Sequence, residues 1–339
     1  MKLNLRKLSP IYLILFVLIA SAVFQVNYAA AQADEGNCKI TVTSEQHMAP
    51  AAELATTKGY PDVITLENSL IKATSVPNRG RLLFDYFFKP TGSSQTFTDT
   101  SPLPMETGKD EYFLEFGGYY PSHPWNQRAN QPYDLDYEIL EESPAGCSIE
   151  IFKSGEDFPI HLRARLEVKP DDPKVYVRIE LKNSTDSART INWFDRLIAS
   201  PGAEPAPGME LRLPEGVTEV ILGESDSQWM GKSGETRSWP QPWSKWGQFK
   251  GEGHFQVPLK GVGEGKVAVK NPEEEVQLVK EWGADQNYSS LRIYAWGPGY
   301  GSILGAHPGF AIATVSSDLT IEPGETKTFR TEIYAEKIE

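Results

Sequence analysis

The sequence predicts an all-β fold, a large antiparallel sandwich, on three observations. Apolar and polar residues alternate over several segments, turn residues fall between those segments, and helical patterning is scarce. The clearest alternating segments are SIEIF (Ser148–Phe152), HLRARLEV (His161–Val168), VYVRIEL (Val175–Leu181) and TFRTEIY (Thr328–Tyr334). Period two marks a half-buried strand, because successive side chains of an extended chain leave on opposite faces.

The turns follow from local chemistry. Residues 169–173 (KPDDP), 183–187 (NSTDS) and 322–325 (EPGE) supply proline-fixed φ, side chains that bond their own backbone, and glycine for positive φ. The chain holds 25 Pro and 28 Gly, as a protein with many loops requires. NPEEEVQLVKEWG (Asn271–Gly283) is the main helical competitor, with an Asn cap, Pro in the first turn and an acidic start. Its Val276, Leu278 and Trp282 also alternate with polar residues, and a strand is preferred. GGYYPSHPWNQ (Gly117–Gln127) carries two Gly and two Pro, which reads as a shaped loop rather than a central strand.

No internal repeat is present. Residues 91–109 and 200–208 are long Pro-, Gly-, Ser- and Thr-rich loops, since strand patterning continues on both sides of them. The expected layout is a signal peptide over 1–33, an N-terminal extension over 34–59 with a strand tied by Cys38, and one sandwich domain over 60–339.

The leader reading rests on three parts: basic Lys2, Arg6 and Lys7, an apolar run of roughly 14 residues from Ile11 to Phe24, and small residues at Ala31 and Ala33. The run is short for a membrane span, so contact with a membrane is expected only if this segment stays uncleaved as an anchor. A periplasmic or secreted location follows. In such a compartment Cys38 and Cys147, each opening a strand-like stretch, are expected to form a disulfide closing about 110 residues.

The formal net charge is −13, and loss of the three basic leader residues makes it −16. That charge repels phosphate backbones and excludes a nucleic-acid partner. No nucleophile elbow, phosphate loop, His-Glu-x-x-His or Cys-rich pattern occurs, so no cofactor and no metal is expected.

Three blocks, in order, resemble the galactose mutarotase-like (aldose 1-epimerase-like) superfamily. TLENSLIKATSVPNRGRLLFDYFF is similar to its opening hairpin, with Asn68, Gly80 and Arg81 in the matching places. FPIHLRARLEVKPDDPKVYVRIELKNSTDSARTINWFDRL is similar to its three central strands and the segment leading to the active site. LTIEPGETKTFRTEIY is similar to its closing turn and last strand. The resemblance covers roughly residues 60–336 and implies an all-β, antiparallel β-supersandwich.

It also implies a chemistry. Family enzymes open and close a sugar ring with one group protonating the ring oxygen and another removing the anomeric proton. Their His follows an Asn after the central strands, and their Glu comes late in the chain. Here Asn192 has a counterpart, but Arg196 or Asp195 stands where the His is expected. Arginine stays protonated and is no ordinary acid–base partner. Around Gly309–Thr314 there is no carboxylate.

The residue reading therefore gathers a candidate site from several segments. His123 is a proton-transfer group with Asp195 or His161 as its complement. Tyr119, Tyr120 and Trp125 are walls of the 117–127 loop. Arg163, Arg165 and Arg196 hold hydroxyls or a carboxylate. Trp296 and His307 come from a second aromatic, Gly-rich stretch. Flat rings beside hydrogen-bonding groups suit a pyranose, which has an apolar face and a polar rim. His254 reads as an ordinary strand or loop residue. Trp239, Trp243 and Trp246 either line a ligand or close one end of the sandwich. Asn183-Ser184-Thr185 and Asn287-Tyr288-Ser289 match glycosylation acceptors, with a turn as their default role. The expected partner is a carbohydrate. The function is carbohydrate binding, with or without sugar epimerase or other carbohydrate-processing activity. Its alternative is a non-catalytic binding or structural envelope protein that has lost the acid–base pair. Oligomeric state is not specified by the sequence.

Overall fold

The computed structural model describes residues 38–44, 62–98, 105–108, 111–113, 117–123, 135–154, 159–206, 208–225, 230–245, 248, 251–259, 265–283, 288–297 and 309–338. The expectations for the leader, Trp125, Trp246, Asn287 and His307 lie outside these residues. So does the side chain of His123.

The strands in chain order are β1 (Lys39–Ser44), β2 (Asp62–Glu67), β3 (Ile71–Val76), β4 (Arg81–Phe88), β5 (Ser93–Ser94), β6 (Met105–Gly108), β7 (Glu111–Phe113), β8 (Tyr119–His123), β9 (Asp136–Ser143), β10 (Gly146–Lys153), β11 (Ile160–Val168) and β12 (Val175–Asn183). They continue with β13 (Arg189–Ala199), β14 (Glu210–Arg212), β15 (Glu219–Ser225), β16 (Thr236–Ser238), β17 (Glu252–Pro258), β18 (Gly265–Asn271), β19 (Val276–Trp282), β20 (Ser290–Trp296), β21 (Phe310–Ile321) and β22 (Thr326–Lys337). One sheet has twelve strands, in the order β1-β2-β3-β4-β8-β13-β21-β20-β17-β15-β16 with β5 on β4. The second has eight, β14-β18-β19-β22-β12-β11-β10-β9, and β6-β7 is a separate hairpin. No helix among the described residues is long and apolar enough to cross a membrane.

The two large sheets stack, and one core fills the space between them. In β11, Leu162, Ala164, Leu166 and Val168 point inward, as their alternation predicts. Opposite them lies the inward row of β13, where Trp193 stacks on Phe329 of β22 with ring centroids 5.6 Å apart. The segment 276–282 is a strand, and its inward row is Val276, Leu278, Lys280 and Trp282. Trp239 and Trp243 pack on each other and on Phe255 with centroids 5.0–5.7 Å apart, which makes this pair part of the core.

Cys38 and Cys147 are disulfide-bonded, tying the start of β1 to β10 across the two sheets. Asn68 ties the sheets a second time: its amide donates to the carbonyls of Lys169 and Asp172, and its oxygen accepts from the N–H groups of Leu70 and Ile71. Asn183 is fully buried in a turn, where its amide donates to Ser187 and Ile321 carbonyls, so the acceptor motif around it is a turn.

One expectation is corrected. Residues Tyr119–His123 are not loop but a central strand, paired with β13 along its length and with β4 at Leu83–Tyr119. The flanking glycine makes this work. Gly118 has φ +73°, and a Cβ there would sit 2.3 Å from the Leu83 carbonyl oxygen, so only glycine lets the chain enter so close to β4. Pro121 is tolerated because β8 meets β13 with a register shift at this point.

Candidate functional site

Strand β13 sorts the site residues, because neighbours on a strand face opposite ways. Trp193, Asp195 and Leu197 point into the core, and Phe194, Arg196 and Ile198 point to the outer face of the twelve-stranded sheet.

The inward side holds a buried polar cluster. Asp195 is fully buried and accepts from Lys280 at 2.6 Å, from Tyr119 at 2.6 Å, from Tyr288 at 3.4 Å and from Thr314. Lys280 comes from the eight-stranded sheet, so the ion pair bridges the two layers. Burial pushes the Lys280 ammonium down, opposed by Asp195, and pushes the Tyr119 and Tyr288 phenols well up, reinforced by the same carboxylate. Four donors on one carboxylate hold it in place inside the sandwich. The expectations that Asp195 transfers protons to a substrate and that Tyr119 walls a sugar site are corrected: neither is exposed to solvent on any face.

The outward side is different. Tyr120, Arg196, Ala313, Arg292 and Gln256 stand side by side across β8, β13, β21, β20 and β17. The next row is Ile198, Ala311, Tyr294 and His254. Phe97, Tyr120, Ile198, Trp296 and Ala311 form a cluster of their own, with Tyr294 packed on it. Ala311 and Ala313, both fully buried, separate β13 from β20 on this face. The Arg196 guanidinium lies 4.5 Å from the centre of the Tyr294 ring. Arg292 meets the same residue at its hydroxyl, with Nη1 3.5 Å from the phenol oxygen. Arg81 lies 4.0 Å over Tyr120. Cations and rings thus alternate across the sheet: Arg81, Tyr120, Arg196, Tyr294, Arg292.

His254 stacks obliquely on Tyr294, centroids 5.5 Å apart, and Tyr294 stacks on Trp296 at 6.1 Å. Gly223 makes room for the imidazole, since a Cβ there would fall 2.1 Å from its Nε2. Burial pushes the His254 pKa down, and the charge of Arg292 pushes the same way, while Glu224 opposes both. The ring is therefore neutral at pH 7. Arg292 has its Nε buried with no hydrogen-bond partner among the described residues.

His161, Arg163 and Arg165 lie elsewhere. They project from β11 on the outer face of the eight-stranded sheet, on the far side of the sandwich from Arg196. The idea that His161 and Arg196 serve one site is corrected for that reason. Their face is a lattice of exposed ion pairs: Arg163 with Glu150 and Glu138, Arg165 with Glu167 at 3.5 Å, Arg178 with Glu180 at 2.5 Å and Lys174 with Glu332 at 2.5 Å. A shallow groove of about 420 Å³ crosses it, lined by Arg165, Tyr176, Arg178, Arg330 and Glu332 among others.

Of the residues expected at the site, Tyr120, Arg196 and Trp296 come together, with Tyr120 and Trp296 buried beneath the face and Arg196 half-buried on it. Arg292, Tyr294 and His254 were missed. The signal was present, because SLRIYAW alternates and puts Arg292, Tyr294 and Trp296 on one side of β20. Among the described residues no group of His, Cys, Asp and Glu is placed to hold a metal.

No protein-family model and no curated protein matches the chain. Solved structures do. A TPR-domain containing protein from Parabacteroides distasonis matches with a TM-score of 0.64 at 14% identity, over 88% of this chain and 55% of that one, so the chain spans about half its length. A putative aldose 1-epimerase from Klebsiella pneumoniae matches with a TM-score of 0.59 at 12% identity, over 88% of this chain and 91% of that one. Galactose 1-epimerase from Lactobacillus acidophilus matches with a TM-score of 0.54 at 11% identity, over 89% and 99%. The fold is that of the galactose mutarotase-like β-supersandwich.

Proposed function

We propose that this protein is exported to the periplasm or the medium and binds carbohydrate on the outer face of the twelve-stranded sheet. The observation that carries the reading is the half-buried group of Arg196, Tyr294, Arg292 and His254 on this face. Tyr294 offers a flat apolar surface backed by the buried Trp296, and guanidiniums and an imidazole stand beside it to bond hydroxyls. Neighbours of the same fold are named as aldose and galactose 1-epimerases, which supports a sugar as the ligand class. Binding without ring opening is the preferred form. Arg196 occupies this face where the resemblance calls for a His, and an arginine does not exchange its proton near neutral pH.

A second reading, a sugar epimerase or another processing enzyme, rests on His254. It is neutral, as a general base must be, and it lies on the same face. A glycan array combined with polarimetry of α-glucose and α-galactose separates the two. Array binding without faster mutarotation supports the binding protein. Acceleration that disappears in His254→Gln supports the enzyme. Silence in both experiments rejects both and leaves a structural envelope protein.

A further inference from the structure

We propose that the seam between strands β1 and β9 is a docking surface for an extended segment of a partner protein, one that alternates basic and apolar residues. The seam is not part of the carbohydrate face, and its occupancy is independent of that reading.

The two sheets run out at this seam. β1 ends the twelve-stranded sheet and β9 ends the eight-stranded sheet. The disulfide of Cys38 and Cys147 ties β1 to β10, the strand beside β9. Ile40 donates its N–H to Glu142 at 2.9 Å, and the Tyr137 hydroxyl donates at 3.2 Å to Asp62, the register partner of Ser44. β1 therefore passes β9 in the opposite direction, and Val42 stands level with Ile139 and Leu140.

Apolar surface collects there. Among the described residues the exposed large apolar side chains are Val42, Ile139, Leu140 and Ile221, and the first three meet at the seam. Two of them are core positions left uncovered. Val42 lies opposite Ile64 of β2, and Ile139 lies opposite Ile149 of β10. Residues directly opposite in an antiparallel pair share a side of the sheet. Ile64 and Ile149 are fully buried, while Val42 is 42% and Ile139 48% exposed. The core layer thus continues one strand outward in each sheet and ends without a cover. A register shift leaves Leu140 unmatched in β10, which breaks the alternation and exposes a second apolar residue beside Ile139.

Charge selects the occupant. β9 carries Asp136, Glu138, Glu141 and Glu142 and no basic residue, and Lys39 is the one basic residue of β1. Glu138 has Arg163 at 3.9 Å. A second copy pairing through β9 sets these carboxylates against their own kind, and like charges placed opposite each other are destabilising. Charge and a bulge guard a free strand edge against such pairing. A basic segment meets the reverse condition. β9 has a ladder partner on one side, β10, and its other side presents N–H and C=O groups at strand spacing. The apolar residues of the partner cover Val42, Ile139 and Leu140, and its Lys or Arg side chains meet the carboxylates.

Fluorescence anisotropy of the whole protein tests this, with a labelled peptide of alternating Lys and Val as the probe. Its companions are a peptide of alternating Glu and Val and a peptide of equal positive charge with Pro in place of Val, which lacks the backbone donors a strand needs. The Lys–Val peptide should bind at least about tenfold more tightly than either companion. Ile139→Lys and Leu140→Lys should each weaken it by about tenfold or more, while Ile221→Lys, on β15 near the other end of the twelve-stranded sheet, should change it by less than about twofold. No binding of the Lys–Val peptide overturns the proposal. Equal binding of the Lys–Val and Pro-containing peptides also overturns it, because attraction of any cation to an acidic chain then accounts for the result. A dimer in sedimentation velocity that Ile139→Lys dissociates makes a second copy the occupant and overturns it as well. The peptide comparison on the wild-type protein decides the matter even where a variant fails to fold.

Discussion

The two outer faces of the sandwich carry similar numbers of arginines and keep them in different ways. On the eight-stranded sheet Arg163, Arg165 and Arg178 are exposed and each has a glutamate within ion-pair distance. On the twelve-stranded sheet Arg81, Arg196 and Arg292 lie on or beside aromatic rings, with small residues between the strands. Rings and cations also meet on the first face, where Lys169 lies over Tyr176 and Lys174 over Tyr334, but there each cation also has a glutamate within ion-pair distance. The first face is built to be solvated. The second is built to be covered.

The comparison can be broken first at the layer that separates the faces. Lys280→Ala leaves the Asp195 carboxylate buried without its counter-ion. It should cost about 3–5 kcal/mol in urea unfolding. A loss below 1 kcal/mol would mean that water reaches the cluster and that the two faces are not insulated from each other.

The next effect is on the aromatic face. Arg196→Ala removes a guanidinium that lies over the Tyr294 ring, together with its half-buried stem. A loss of about 1–2 kcal/mol is expected by chemical denaturation. If the loss persists unchanged in high salt, packing and not exposed charge holds this face, as the comparison requires.

His254 gives a pH test of the same face. Its folded pKa lies below the unfolded value of 6.5, so the folded state resists protonation. The unfolded chain binds more protons below that value, and stability present above about pH 6.5 should be lost as pH falls toward the folded pKa. The difference between wild type and His254→Gln across pH 8 to 5 should show this slope. A flat difference would place the imidazole in water.

The smallest effect belongs to the opposite face. Arg163→Ala breaks exposed pairs with Glu150 and Glu138. It should cost under about 1 kcal/mol, and that cost should vanish at high ionic strength. A larger, salt-resistant loss would erase the distinction between the two faces.

Some of the site was readable and some was not. The alternation in VYVRIEL and HLRARLEV specifies which residues of one strand share a side, and the inward rows follow it. In β8, by contrast, the two glycines and Pro121 suggested a loop. They instead allow a strand to enter beside Leu83 at a distance no Cβ permits. Asp195 misled for a related reason. A carboxylate reads as a surface or catalytic group until its counter-ion is known, and Lys280 comes from the other sheet, 85 residues away.

By itself the sequence determined the strand period, the turn chemistry and the order of blocks that resembles the mutarotase-like fold, because these depend on neighbours along the chain. Tertiary structure alone decided which sheet each strand joined. Strand pairing is set by contacts far apart in sequence, and it placed Arg163 and Arg196 on opposite faces while bringing Arg81, Tyr120, Arg196, Tyr294 and Arg292 onto one.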